Sequence, residues 1–223
     1  METLQKELID DVKDHIAWDN RINSDNIQVD MANDHTVILK GSAPSLYDKV
    51  TAEFDAYSVP GVNEIINQIE IAPLEVESLS DNEIKTALQT IFQWDARLTP
   101  ADIHIEVNDG VVKLTGSVGA YWEKNIAVNH THNMAGVKGI VDHMTVVPTL
   151  DVLDEDIAND IRRALQRKRI IENDNITVET VNNIVTLRGQ VPTVMAKQKA
   201  EEVAAHTKGV KDVSNKLVIK PNF

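Results

Sequence analysis

The chain has 223 residues, of which 42% are hydrophobic and 26% charged, the composition of globular domains. It has no cysteine, which excludes disulfides, thiolate metal centres and a cysteine nucleophile. A net charge of −13 argues against broad nucleic-acid binding, which needs cations facing phosphates.

The opening METLQKELIDDVKDHIAWD carries acids from its second residue and lacks the basic start and apolar run of a secretory leader. No stretch approaches the about 18 apolar residues of a membrane span. The expectation is a cytoplasmic protein as the sequence stands, or a periplasmic one if a leader has been removed. The first predicted element is a helix, with Leu4, Leu8, Val12 and Ile16 on one face. Period-two alternation follows in Ile27, Val29 and Met31, then a polar turn at Asn33-Asp34-His35, then a second strand through Val37 and Leu39. A second helix spans roughly 45–57, and a last strand spans 64–71.

The same succession returns twice. Helical spacing recurs in Ile84, Leu88, Ile91 and Phe92, and again in Ile157, Ile161 and Leu165. Hairpins recur at Ile103-Ile105-Val107 with Val112-Leu114, and at Ile176-Val178 with Val185-Leu187. Their turns are Asn108-Asp109-Gly110 and Asn182-Asn183, residue types that tolerate positive φ. Three landmarks keep one spacing in all copies: Gly41, Gly116 and Gly189; twenty residues later Gly61, Gly136 and Gly209, each followed by Val; twelve further on Pro73, Pro148 and Pro221. Ala52, Ala127 and Ala200 occupy one position of the second helix, which predicts close packing on a sheet. The Gly-Val pair is read as the helix C-cap, and Asp81 and Asp154 as N-caps. The fold class is therefore α+β: three tandem αββαβ units at 1–73, 79–148 and 153–221.

A helix, a hairpin ending in Val-x-Leu-x-Gly, a helix, Gly-Val and a strand resemble the BON domain, named for bacterial OsmY and nodulation proteins. The first two copies add Trp18-Asp19-Asn20-Arg21-Ile22 and Trp94-Asp95-Ala96-Arg97-Leu98, which look like the form in three-BON bacterial proteins. The third departs, with Arg167-Lys168-Arg169 there. The resemblance implies two helices on one face of a three-stranded sheet. It also implies a binding module of osmotic-stress, outer-membrane or secretion-associated proteins, with phospholipid proposed as ligand for several, no catalytic residues and no cofactor.

Charge separates the copies. Residues 1–75 hold 15 acids against 5 bases, residues 76–150 hold 9 against 5, and residues 151–223 hold 11 against 12. Arg162, Arg163, Arg167, Lys168 and Arg169 form a positive helix end, a candidate for anionic lipid or for pairing with the acidic first repeat, within the chain or in a dimer. Trp18 and Trp94 are the other candidates for a lipid surface, weighed against packing of each ring over the sheet edge; the recurrence of the position favours packing. His130 and His132 diverge on a helix and, with His104 and His143, match no metal spacing. Asp10, Asp11 and Asp14 read as a solvated helix face. No nucleophile elbow, P-loop or dinucleotide fingerprint is present. The functional expectation is a non-catalytic, stress- or envelope-associated binding protein, with a protein-interaction or oligomerisation scaffold as the alternative.

Overall fold

A computed structural model describes residues 2–33, 35–72, 79–99, 102–167 and 176–220. Asp34, Pro73, Lys168, Arg169 and Pro221, and the side chain of Leu4, lie outside the described residues. The first repeat comprises α1 (Glu2–Trp18), β1 (Ile27–Asn33), β2 (Thr36–Ala43), α2 (Leu46–Ser58), β3 (Glu64–Asn67) and β4 (Glu70–Ile71). The second comprises α3 (Asp81–Trp94), β5 (Ile103–Asn108), β6 (Val111–Val118), α4 (Tyr121–His132) and β7 (Gly139–Val146). The third comprises α5 (Asp154–Arg167), β8 (Ile176–Val181), β9 (Ile184–Val191), α6 (Val194–Ala205) and β10 (Asp212–Ile219). The chain contacts divide into two compact units, residues 1–88 with 106–112 and 130–141, and residues 89–105 with 113–129 and 142–223.

The strand orders are β1-β2-β3, β5-β6-β7 and β10-β9-β8, so the second strand is central each time. β1 pairs antiparallel with β2, and β8 with β9, as a hairpin requires. β3 pairs parallel with β2, and β10 with β9, because the second helix carries the chain back to the end where the central strand began. The buried sets follow the predicted periods. Val12, Ile16, Val37, Leu39, Ala52 and Ala56 share one core, and Ile157, Ile161, Leu165, Val185, Leu187 and Ala200 share another. Ala52, Ala127 and Ala200 are all fully buried, so each second helix lies close on its sheet. Tyr121, the first residue of α4, packs against the third repeat's core, and burial beside Asp212 and Glu201 pushes its phenol up to about 12.

One internal brace is kept in form while its chemistry changes. Asn67 donates to Lys49 O at 3.1 Å and to Glu53 Oε2 at 2.9 Å and accepts from Ile69 N. Asn215 does the same with Lys197 O, Glu201 Oε2 and Leu217 N. At this position the second repeat has Asp142, which accepts from Met144 N and pairs with Lys124 Nζ at 2.9 Å.

Two local expectations are corrected. Asp81 and Asp154 are not N-caps but first helical residues; each carboxylate accepts both amides of its hairpin turn, Asp109 and Gly110 in one case, Asn182 and Asn183 in the other, at 2.7–2.8 Å. The cap of α3 is Ser80, in a reciprocal box with Glu83. The Gly of each Gly-Val pair is not a helix cap: α6 ends at Ala205 with His206 as its cap, and Gly209 is the third residue of the turn closed by Val210 N to Thr207 O. Its φ of +87° suits that turn position, and a Cβ there would approach Val152 to 2.8 Å. Gly116 lies inside β6 at φ +111°, where a Cβ would meet Asp102 O at 1.9 Å. The hairpin of the first repeat differs from that of the third: its register shifts between Met31 and Asn33, and Asn33 Oδ1 takes the amides of His35 and Thr36.

Candidate functional site

The first helices of the three repeats end on Trp18, Trp94 and Arg167. The expectation that the tryptophans pack is overturned: Trp18 is 82% exposed and Trp94 84% exposed. What recurs as buried is the apolar residue four beyond each ring, while the Asp beside it is buried in the first repeat and half-buried in the second. Asp19 is 8% exposed, and Ile22 and Leu98 are buried. The Asp accepts from the backbone N of Arg two residues on, at 2.9 Å in the first repeat and 3.0 Å in the second, closing the chain into a tight turn off the helix end. The Arg side chain folds back onto the same carboxylate, Arg21 on Asp19 through Nε at 2.9 Å and Nη2 at 2.5 Å, Arg97 on Asp95 through Nε at 2.8 Å and Nη2 at 2.6 Å. The Trp-Asp-x-Arg run is thus a turn that holds an indole in solvent. In the first repeat that indole stacks on His15, with ring centroids 6.5 Å apart.

Among the described residues, Arg162, Arg163 and Arg167 of the third repeat's basic helix end do not share one role. Arg162 reaches Val178 O of β8 at 2.7 Å and Asn159 Oδ1 at 2.9 Å, a brace between helix and sheet. Arg163 and Arg167 instead line an open cleft of about 610 Å³ between α5 and the end of α6. His206, Thr207 and Lys208 form its other wall, and Ala164 and Val203 its floor. Two acids also reach it, and both have cation partners: Asp160 pairs with Arg163 at 2.7 Å and Glu202 with Lys199 at 2.5 Å. The Thr207 hydroxyl donates to Val203 O at 2.9 Å and His206 Nδ1 meets Glu202 O at 2.8 Å, so Arg163, Arg167 and Lys208 are the groups that give the cleft its cationic character, partly offset by Asp160 and Glu202. His206, Thr207 and Lys208 were not among the expected site residues. The signal was the short run His-Thr-Lys-Gly at the end of the second helix, which has meaning only once that end is known to meet the end of α5.

The corresponding corner of the first repeat is acidic. Asp55, on α2, takes the place that Val203 holds in the third repeat and is 6% exposed. Burial, then the neighbouring Asp19 carboxylate, push its carboxyl up to about 6, while Arg21 holds Asp19 well below the usual carboxylate range. Among the described residues, no group of three or more His, Asp or Glu side chains converges to hold a metal, and no helix is long and apolar enough to cross a membrane.

Three tandem αββαβ units with a central second strand define a repeat protein of small α+β domains. The BON domain matches residues 5–73, 80–148 and 153–221, nearly the whole chain, and the protein belongs to the BON-domain family. It is 25% identical over 148 residues to the osmotically-inducible protein Y of Escherichia coli, covering 64% of this chain and 74% of that one. It is 29% identical over 107 residues to the outer membrane lipoprotein DolP of Haemophilus influenzae, covering 47% of this chain and 55% of that protein. Among solved structures, the C-terminal domain of CdsD, a structural protein of the type III secretion system of Chlamydia trachomatis, aligns over 97% of this chain and 99% of that one at 12% identity and a TM-score of 0.28. The periplasmic domain of PrgH aligns over 88% and 96% at 11% identity and a TM-score of 0.23. Likenesses of that size carry no argument here.

Proposed function

We propose that this chain is a non-catalytic binding protein associated with osmotic stress or the cell envelope, and that it attaches to anionic phospholipid surfaces through the ends of its first helices. The observation that carries the reading is the exposure of Trp18 and Trp94 on rigid turns at the helix-end position where the third repeat places Arg167 beside its cleft. Indole rings favour the boundary between headgroups and acyl chains, and each Lys or Arg near an anionic leaflet adds about 1 kcal/mol of attraction. Arg163 and Arg167 supply that attraction; Lys168 and Arg169 continue the basic run in sequence. Relatives whose names speak of osmotic induction and of an outer-membrane lipoprotein support this setting.

Co-sedimentation with vesicles tests it. The protein should pellet with phosphatidylglycerol vesicles in low salt, remain in solution with phosphatidylcholine, and be released by high salt as charges are screened. The double variant Trp18→Ala/Trp94→Ala should keep its fold, with stability changed by no more than about 0.5 kcal/mol as expected for exposed side chains, yet lose the pellet. Pelleting that is indifferent to lipid charge, salt and both tryptophans would overturn this mode of attachment, and no pelleting under any condition would overturn the lipid reading and favour a protein partner.

A further inference from the structure

Asp55 poses a problem that its surroundings do not solve with charge. It lies on α2, is nearly inaccessible, and its Oδ2 has no hydrogen-bond partner. A second buried carboxyl, Asp19 at the end of α1, acts on it directly. Arg21 is the cation at this corner, and its fork is spent on Asp19, with Nε at 2.9 Å from both oxygens and Nη2 at 2.5 Å. The other ionisable group facing Asp55 is His15, from α1. An ionised carboxylate has no proton to donate, so two of them side by side leave the buried oxygen unsatisfied and repel one another. One proton held by Asp55 and donated to Asp19 removes both penalties at once. The fold itself does not require a carboxyl here, since the third repeat has Val203 at the same position.

We propose that Asp19 and Asp55 form a proton-sharing clamp between α1 and α2, closed when Asp55 is protonated and loosened when it ionises, so that the Trp18 corner of the first repeat responds to mild changes in pH. The direction follows from linkage. Asp55 has its carboxyl raised in the folded chain from the usual 3.8 to about 6, first by burial and then by Asp19, so the folded state binds the proton more tightly than the unfolded one. The first repeat therefore gains stability as pH falls from about 6 to about 4, and the cost of the second charge is fully present above that window. Neither the second nor the third repeat carries this pair: their residues at the Asp55 position are His130 and Val203.

The test uses the full chain without lipid, so its outcome is separate from that of the vesicle experiment. Carboxyl carbon NMR should show Asp55 titrating near pH 6, about two units above an ordinary aspartate. Amide exchange of residues 17–22, corrected for the intrinsic pH dependence of exchange, should speed up across the same range. Asp55→Asn, which keeps the shape and supplies a permanent donor, should hold exchange at the slow level at every pH. His15→Gln should leave the step in place. An Asp55 carboxyl that titrates near 4 in the folded chain would overturn the proposal. So would an exchange step that survives in Asp55→Asn, or one that disappears in His15→Gln.

Discussion

The first and third repeats share a backbone plan and an internal brace, yet their helix-end corners are chemical opposites. In the first, Asp19 and Asp55 are both buried, and Asp19 follows the exposed Trp18 in the chain. In the third, Arg163 and Arg167 face His206 and Lys208 across an open cleft with Val203 in its floor. The difference separates two kinds of requirement. Core positions such as Ile16 and Leu165 hold apolar residues in both repeats, because the helix must bury a face against the sheet. The corner beyond the last helical turn has no such duty, and there one scaffold carries a carboxyl pair in one copy and a cationic wall in another.

That contrast can be strained from both sides. The largest effect should come from the shared core: Ile16→Ala and Leu165→Ala, at equivalent positions, should each cost about 2–5 kcal/mol in denaturant unfolding, each in the transition of its own repeat. A near-neutral result at either position would mean that the two repeats are not held together in the same way. A smaller effect of opposite sign is expected at the corner. Asp55→Val places the third repeat's residue in the first and should raise stability at pH 7.5 by about 1–3 kcal/mol, through loss of a buried charge. The gain should shrink toward pH 4, where Asp55 already holds its proton. Equal gains at both pH values would show that packing, and not the charge, sets the cost.

Much of the scaffold was legible in the residues because local periods and glycine spacing are local signals. Val37 and Leu39 alternate, Ile157, Ile161 and Leu165 step by threes and fours, and all are buried as those periods demand. The glycines marked the right places for reasons that only the backbone reveals: Gly116 is required by the approach of Asp102 O, and Gly209 by its place as third residue of the turn from Thr207 to Val210. Asp81 and Asp154 read as caps because an acid at a helix start suits the dipole, whereas their partners are hairpin amides 28 and 29 residues away. Trp18 and Trp94 were misread because recurrence was equated with burial; the buried residue that recurs is the apolar one four positions on, Ile22 and Leu98. The cleft was half visible as Arg163 and Arg167, while His206 and Lys208 lie some forty residues on and meet them only through the packing of α5 beside α6.

The most direct test of surface attachment asks whether the two exposed indoles enter lipid. In phosphatidylglycerol vesicles brominated along their acyl chains, fluorescence of the native protein should be quenched in low salt, and Trp18→Phe/Trp94→Phe, which retains Trp122, should show little quenching. Strong quenching of that variant, or none in the native protein while it pellets with the same vesicles, would contradict the account and place the attached surface elsewhere on the molecule.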